Sequence, residues 1–278
     1  MLRCKTINYD KILIYFILLS MLLVIVFPIY WMLLTTFQPT SHVMSYPPKI
    51  FFYSFSINKL WEIIRVTNIL KWTLNSFIVA IGVVVLNLVV SVPAAHSLAK
   101  YKIRFNRILL FIILITQMIP PAIMVVPLFE IFASLGLNNR FLSLILADTI
   151  LTLPLGTWVL VGFFENIPKE IEEAAIIDGA SKMAVFYRIS LPLTYPAIVT
   201  AAILTFFDAW NEYMYAYTFI TDQAKWVGTV GVASFIGQFL TDWQAVMASS
   251  LIFSILPMVV YISLRKYIVR GVAEGFAK

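Results

Sequence analysis

The sequence predicts an all-α integral membrane protein with six transmembrane helices. Of its 278 residues, 61% are hydrophobic and only 12% are charged, whereas soluble domains carry about 25% charged residues. Six long apolar segments each approach the roughly 20 residues that a helix needs to cross the hydrocarbon core. Helices are the expected form because lipid offers the backbone no hydrogen-bonding partners.

The predicted spans follow one another along the chain, separated by more polar segments. They cover residues 12–34, a stretch within 72–99, 108–129, 141–164, 195–219 and 243–264. The first span follows a basic start, but its uncharged run is too long for a signal peptide and no small-x-small cleavage site follows it, so it is expected to be retained. Every span has a proline at or within its ends. These prolines either kink the helices around a transport pathway or reflect only the high frequency of proline in membrane helices.

Positively charged residues predict the orientation of the chain. The net charge is +6, and most Lys and Arg residues fall in the two termini and in the loops after the second and fourth spans. Because such residues favour the cytoplasmic side, both termini are predicted to be cytoplasmic, in a plasma or inner membrane. The sequence has no basic stripe with interleaved aromatic residues, which argues against nucleic acid as a partner.

Residues that often mark a metal or nucleotide site are sparse. Cys4 is the only cysteine, which excludes an internal disulfide and a cysteine-based zinc site. His42 and His96 lie far apart without ligand-like spacing, so both are interpreted as incidental and no metal site is predicted. The sequence also lacks the Gly-x-x-x-x-Gly-Lys-Ser/Thr pattern of a nucleotide-binding loop.

The loop between the fourth and fifth spans predicts two short helices. Pro168 suits the first turn of the first helix, Asn166 is its cap candidate, and Gly179 is expected to end it. Ser181 is expected to cap the second helix, and Pro192 to end it.

One face of the first loop helix is apolar. Ile171, Ala174, Ala175 and Asp178 fall at i, i+3, i+4 and i+7 and therefore share that face. The small alanines leave room for another surface to come close. An apolar face with no further helix to cover it predicts a docking site for another protein.

The same loop resembles a known family. The pattern Glu173-Ala-Ala-x-x-Asp178-Gly179-Ala180, followed by Phe186 and Leu191-Pro192, resembles the EAA signature of binding-protein-dependent ABC importer permeases. The resemblance implies the ABC type I importer permease fold, with residues 1–278 as a single transmembrane permease domain and residues 165–193 as the coupling loop within it. It also implies which residues couple to the ATPase: Glu173, Ala174, Ala175, Asp178, Gly179, Ala180, Phe186 and Pro192.

Other segments resemble the carbohydrate, maltose-type branch of that family. They include Trp210-Asn-Glu-Tyr213 and the run 27–37, while the C-terminal run 270–278 resembles the tail of the second permease subunit. The resemblance implies a non-enzymatic permease subunit for a sugar or oligosaccharide. Its implied partners are a second permease, two ABC ATPase subunits and an extracytoplasmic solute-binding protein. The resemblance further implies that ATP and Mg are used by the ATPase and that this chain binds no cofactor.

Polar residues inside the predicted spans are candidates for a translocation pathway. Asp208, Asn211, Glu212 and Tyr215 are predicted to share one face of the fifth span. The other candidates lie in the second, third and fourth spans: Asn87, Gln117, Asp148 and Thr152. Hydrogen bonding between helices is the alternative role for all of them.

Two further classes of function stay open at the level of sequence. In a secondary transporter driven by protons or sodium, Asp208 and Glu212 would be the coupling carboxylates. The sequence shows no inverted repeat, which such carriers often have. A non-transport membrane scaffold is the other class. An ABC permease for another small polar solute, such as an amino acid, a polyamine or a peptide, remains a closer alternative.

Overall fold

In the computed structural model, residues 9–101, 105–237 and 240–275 are described. Every regular element of this described part is helical. The residues before Tyr9, among them the basic Arg3 and Lys5 and the single cysteine, lie outside the described residues, as does the end of the C-terminal run 270–278 that resembles the tail of a second permease subunit.

The helices have the following bounds in chain order: α1 Tyr9–Phe37, α2 Thr40–Val43, α3 Asn58–Val66, α4 Ile69–Lys100, α5 Asn106–Ile115, α6 Pro121–Ser134, α7 Phe141–Glu165, α8 Lys169–Ile177, α9 Lys182–Val185, α10 Leu191–Leu193, α11 Tyr195–Asn211, α12 Met214–Phe219, α13 Gly228–Ala233 and α14 Trp243–Gly275. Short 3₁₀ turns lie at Thr116–Met118 and Gln223–Lys225, and a π-helical turn lies at Phe186–Ser190.

Helix length and composition agree with a membrane-spanning chain. In the described part, α1, α4, α7 and α14 are each long and apolar enough to cross a membrane. Two bent pairs raise the number of candidate spans from four to as many as six. The first pair, residues 108–118 and 121–134, is bent by 94°, and the second, residues 182–193 and 195–211, by 72°.

The third span is two helices where one continuous helix over 108–129 was expected. The chain is extended at Ile119 (ψ 117°) and Pro120 (ψ 129°), and α6 starts again at Pro121. Two consecutive prolines explain the break, because neither has an N–H to donate and each restricts the residue before it.

The fifth span is also interrupted, so the expectation of one helix over 195–219 is wrong. Helix α11 ends at Asn211, Glu212 is extended (φ −63°, ψ 134°), and α12 begins at Met214. The Glu212 carboxylate accepts hydrogen bonds from the backbone N–H groups of Tyr215 (2.7 Å) and Ala216 (3.0 Å). Capping of the second helix by an acid therefore replaces the turn that would have joined the two helices.

The chain divides into two compact units. The first comprises residues 1–67 and 232–252. In it, Gln244 links two segments, because its Nε2 donates to the Gln38 carbonyl (2.6 Å) and its Oε1 accepts from the Thr40 hydroxyl (2.8 Å). Lys59 Nζ lies 2.8 Å from Asp242 Oδ2. Burial, the largest single effect, would raise the pKa of Asp242, but the hydrogen bond and charge of Lys59 together with the backbone N–H groups of Ala245 and Gln244 hold that pKa below its ordinary value.

The second unit comprises residues 68–231 and 253–278, and its core is built on α4, α7 and α11. Small buried side chains such as Ala95, Ala147 and Ala201 let these helices approach closely. Gly82 allows a similarly close approach, since a Cβ there would lie 2.5 Å from Ile145 Cδ1 and the end of that side chain would have to shift. This unit holds every sequence-predicted site residue.

Candidate functional site

The loop between α7 and α11 folds largely as its residues predict. Helix α8 follows Pro168 and ends at Ile177, with Asp178 as its C-cap residue, and Gly179 has φ +90°. The N–H groups of Gly179 and Ala180 donate to the carbonyls of Ile176 (3.0 Å) and Ala175 (2.9 Å), respectively. This is the left-handed helix ending that glycine adopts at low cost, so the predicted stop is confirmed.

The caps of this loop are a mixture of confirmed and wrong predictions. Ser181 caps α9, because its hydroxyl accepts a hydrogen bond from the Ala184 N–H (3.2 Å). Asn166 does not cap α8. Its backbone angles are helical, and its N–H donates to the Phe163 carbonyl. Asn166 is therefore the C-terminal cap of α7 and does not cap the helix that follows.

Pro192 does not end the second loop helix, contrary to expectation. The π-helical turn Phe186–Ser190 runs directly into α10, and the helix stops only after Leu193. In the wide turn the Leu191 N–H donates to the Phe186 carbonyl, five residues back. Such a turn gives the proline ring the space that a regular α-turn denies it, so the chain bends and continues.

Helix α8 presents an uncovered surface. None of its residues is buried, and Ile177 is 85% exposed, next to exposed Ile171, Glu173 and Ala174. The remaining predicted coupling residues differ in placement. Asp178, Gly179 and Pro192 are exposed, Ala175 and Ala180 are half-buried, and Phe186 is buried. Phe186 therefore belongs to the packing of the loop, with its ring centroid 4.7 Å from that of His96.

A buried polar cluster fixes α8 to the helices behind it. Glu172 accepts a hydrogen bond from the Ser190 hydroxyl (2.7 Å), and its other oxygen lies 3.4 Å from Lys100 Nζ. Lys100 also donates to the carbonyl of Ile167 (2.7 Å). His96 Nε2 lies 3.9 Å from Glu172 Oε1. We name Lys100, Glu172, Ser190 and His96 the loop anchor.

Sequence reasoning missed the loop anchor. Only 5% of the Lys100 side chain and 13% of the Glu172 side chain are exposed, so the pair is largely removed from water. His96, interpreted as incidental, packs edge-on against the rings of Phe164 and Tyr101. On a helical wheel Glu172 lies about 100° from Ile171 and only about 60° from Ala175, so the helical pattern alone does not indicate that this acid is buried against the rest of the chain.

A second feature is a cavity of about 410 Å³ in the second unit, bounded by the bend after α5 and by α7 and α11. Five of the eight pathway candidates line it: Gln117, Asp148, Thr152, Asp208 and Glu212. Asn87 lies immediately behind the wall and donates from Nδ2 to the Thr152 hydroxyl (2.9 Å). The structure thus brings together polar residues from four predicted spans.

The predicted four-residue face of the fifth span does not exist as such. Because the helix breaks at Glu212, Tyr215 lies on α12, where its ring is buried and its hydroxyl donates to the Pro121 carbonyl (3.2 Å). Asn211 is exposed and its Nδ2 donates to the Phe207 carbonyl of its own helix (2.8 Å). Only Asp208 and Glu212 of the four line the cavity.

An all-helical membrane chain with an exposed loop helix and a polar cavity among its spans has the organisation of a transport permease. Residues 87–274, more than half of the chain, match the family described as binding-protein-dependent transport system inner membrane component. The chain belongs to this family.

Individual relatives extend the similarity over almost the whole chain. The sulfoquinovosyl glycerol transport system permease protein SmoH of Agrobacterium fabrum is 32% identical over 265 residues, which cover 95% of this chain and 93% of that protein. The trehalose/maltose transport system permease protein MalG of Thermococcus litoralis is 30% identical over 261 residues, covering 93% of each chain. The diacetylchitobiose uptake system permease protein NgcG of Streptomyces coelicolor is 28% identical over 260 residues, covering 91% of this chain and 84% of that protein.

A solved structure shows the same fold. A chain of a bacterial ABC transporter involved in the import of the acidic polysaccharide alginate superposes with a TM-score of 0.78 at 19% identity, covering 96% of this chain and 98% of that one. The predicted all-α fold of an ABC importer permease is thereby confirmed.

Proposed function

We propose that this chain is the permease subunit of an ATP-driven importer for a sugar or oligosaccharide, and that it forms the translocation pathway with a second permease subunit. Two ATPase subunits, which use ATP and Mg, and an extracytoplasmic solute-binding protein complete the importer. This chain itself binds no cofactor. The relatives named for sugars and for a sulfoquinovosyl glycerol support the cargo class.

The observation that carries the proposal is the uncovered helix α8. A helix with no buried residue and an isoleucine that is 85% exposed gains stability when another protein covers it. The surface Ile171, Glu173, Ala174, Ile177 and Asp178 enters a groove of the ATPase. The loop anchor then passes any displacement of α8 to α4 and to the segment that follows α7, because Glu172 contacts Lys100, and Lys100 contacts Ile167.

Replacement of Ile177 by Lys tests this docking surface. An ammonium group inside an apolar groove leaves a charge without a partner. We expect at least a tenfold weaker association with the ATPase, about 1.4 kcal/mol, measured by co-purification and titration in detergent. The matched control is Leu240→Lys, since Leu240 is 80% exposed and lies outside the loop. Full ATPase binding by the Ile177→Lys variant would contradict the proposal.

The orientation of the chain has its own test. With both termini in the cytoplasm, α8 is cytoplasmic as well. A cysteine introduced at Ile177 in a Cys4→Ser background, in vesicles that contain the permease without its ATPase, is expected to react with a membrane-impermeant maleimide when the vesicles are inside-out and to stay unlabelled when they are right-side-out. The reverse pattern would overturn both the orientation and the role of α8.

A further inference from the structure

The cavity beside the bend after α5 has an unusual balance of polar groups. Three carboxyl groups line it, those of Asp148, Asp208 and Glu212, and the described lining residues include no Lys or Arg. Asp148 is only 3% exposed, and its Oδ1 has no hydrogen-bond partner among the described residues. A buried acceptor without a donor is costly, which indicates that a donor arrives from a molecule that enters the cavity.

The hydroxyl donors already present in the wall are committed to the protein itself. The Thr116 hydroxyl donates to the Ile113 carbonyl (2.6 Å), and the Thr152 hydroxyl donates to the Asp148 carbonyl (2.9 Å). Gln117 donates one N–H of Nε2 to the Leu151 carbonyl (2.6 Å), which leaves its oxygen and its second N–H available. The cavity therefore offers acceptors, several of them carboxylate oxygens, and few donors.

The three carboxyl groups are not equivalent. Both oxygens of Glu212 accept backbone N–H groups at the start of α12, so this residue is held by the protein. Asp208 is exposed on the cavity wall and makes no hydrogen bond or ion pair within the described residues. Asp148 and Asp208 are consequently the two acids with unused acceptor capacity.

We propose that this cavity binds a cargo that carries a cationic amino group beside its hydroxyl groups, such as an amino sugar, and that Asp148 and Asp208 hold the ammonium group. An ammonium group supplies three donors and a positive charge, whereas a hydroxyl supplies one donor and adds acceptors that this wall cannot satisfy. The volume of about 410 Å³ suits a small ligand. The inference rests on the proposed importer function and goes beyond it by naming the charge of the cargo.

The test compares three sugars that share one ring and differ in charge: glucosamine, glucose and glucuronate. Binding to the permease–ATPase complex in nanodiscs is followed by saturation-transfer NMR, without the solute-binding protein, so that its selectivity does not contribute. We expect glucosamine to bind at least tenfold more tightly than glucose, and glucuronate to bind most weakly. Equal binding of the three sugars, or preference for glucuronate, would overturn the proposal.

Variants assign the selectivity to this cavity. Asp148→Asn keeps the shape of the side chain and removes its charge, and we expect it to abolish the preference for glucosamine over glucose. Asp208→Asn, at an exposed position, is expected to reduce that preference about threefold. Glu130→Gln is the control, because Glu130 is an exposed acid of α6 that does not line the cavity. A glucosamine preference that survives both aspartate substitutions would refute this assignment.

Failure of this inference can be told apart from failure of the proposed function. If the complete importer accumulates a sugar in an ATP-dependent manner but shows no preference for glucosamine, only the inference about the cavity is wrong. If no solute tried is accumulated with ATP, and Ile177→Lys leaves ATPase binding intact, the importer function itself is wrong.

Discussion

Substitution of Lys100 by Met should release α8 from the rest of the chain. Methionine keeps most of the apolar stem and removes the ammonium group, so Glu172 loses its ionic partner at 3.4 Å and the Ile167 carbonyl loses a donor at 2.7 Å. The Ser190 hydroxyl remains as the hydrogen-bond donor to Glu172.

The size of the effect follows from burial. Removal of one partner of a fully buried ion pair costs about 3–5 kcal/mol. Glu172 remains 13% exposed, so water enters and screens part of that loss. We therefore expect local stability to fall by about 2–3 kcal/mol, which corresponds to roughly 30- to 150-fold faster exchange of protected amides.

Hydrogen–deuterium exchange measures this directly. Amides of α8 and of the first turn after it should exchange faster in Lys100→Met, while amides in the middle of α7 should keep their protection. In a double-mutant cycle with Glu172→Gln, the two effects should be strongly non-additive, because both variants break the same pair. Unchanged exchange in α8, or additive effects, would refute the idea that the loop anchor holds this helix.

Three further predictions test local features of the structure. Gly179→Val should cost about 1–2 kcal/mol, because φ is +90° there, and Gly179→Asn should recover part of it; exchange at the end of α8 and ATP-driven uptake report both. Gly156→Ala would place a Cβ 2.8 Å from the side-chain amide oxygen of Asn87 and should lower Tm. In Gly162→Ala the added Cβ has no described atom within 4 Å, so Tm should stay equal or rise. The pKa of Asp242 is lowered, so its contribution to the stability of the fold is present above its ordinary pKa of 3.8 and is lost as the pH falls through the lower folded value. Asp242→Asn should therefore make Tm less dependent on pH between pH 6 and pH 3, and the corresponding change in the free energy of unfolding is less than about 1 kcal/mol. A wild-type Tm that is independent of pH over that range, or equal Tm values for the two alanine variants, would contradict these expectations.

The coupling loop shows how much local sequence can specify. Gly179 ends α8 and Ser181 caps α9 because each effect involves neighbours within a few residues, where the identity of the side chain decides the backbone. The apolar spans were predictable for a similar reason, since length and hydropathy decide whether a segment can enter lipid. The Asn166 and Pro192 predictions failed where a neighbouring helix or a π-turn competed for the same residues.

The sequence by itself determined that this chain is an all-helical membrane protein, where its four uninterrupted apolar helices lie, and that one loop helix is left uncovered. Only the tertiary structure decided that Glu212 interrupts the fifth span, that Phe186 is buried, and which polar residues meet in the cavity. Asn87 and Thr152, for example, are 65 residues apart in the chain and 2.9 Å apart in space. Contacts of this kind depend on how whole helices pack, and a helical pattern fixes which face of a helix is apolar without fixing which helix will cover it.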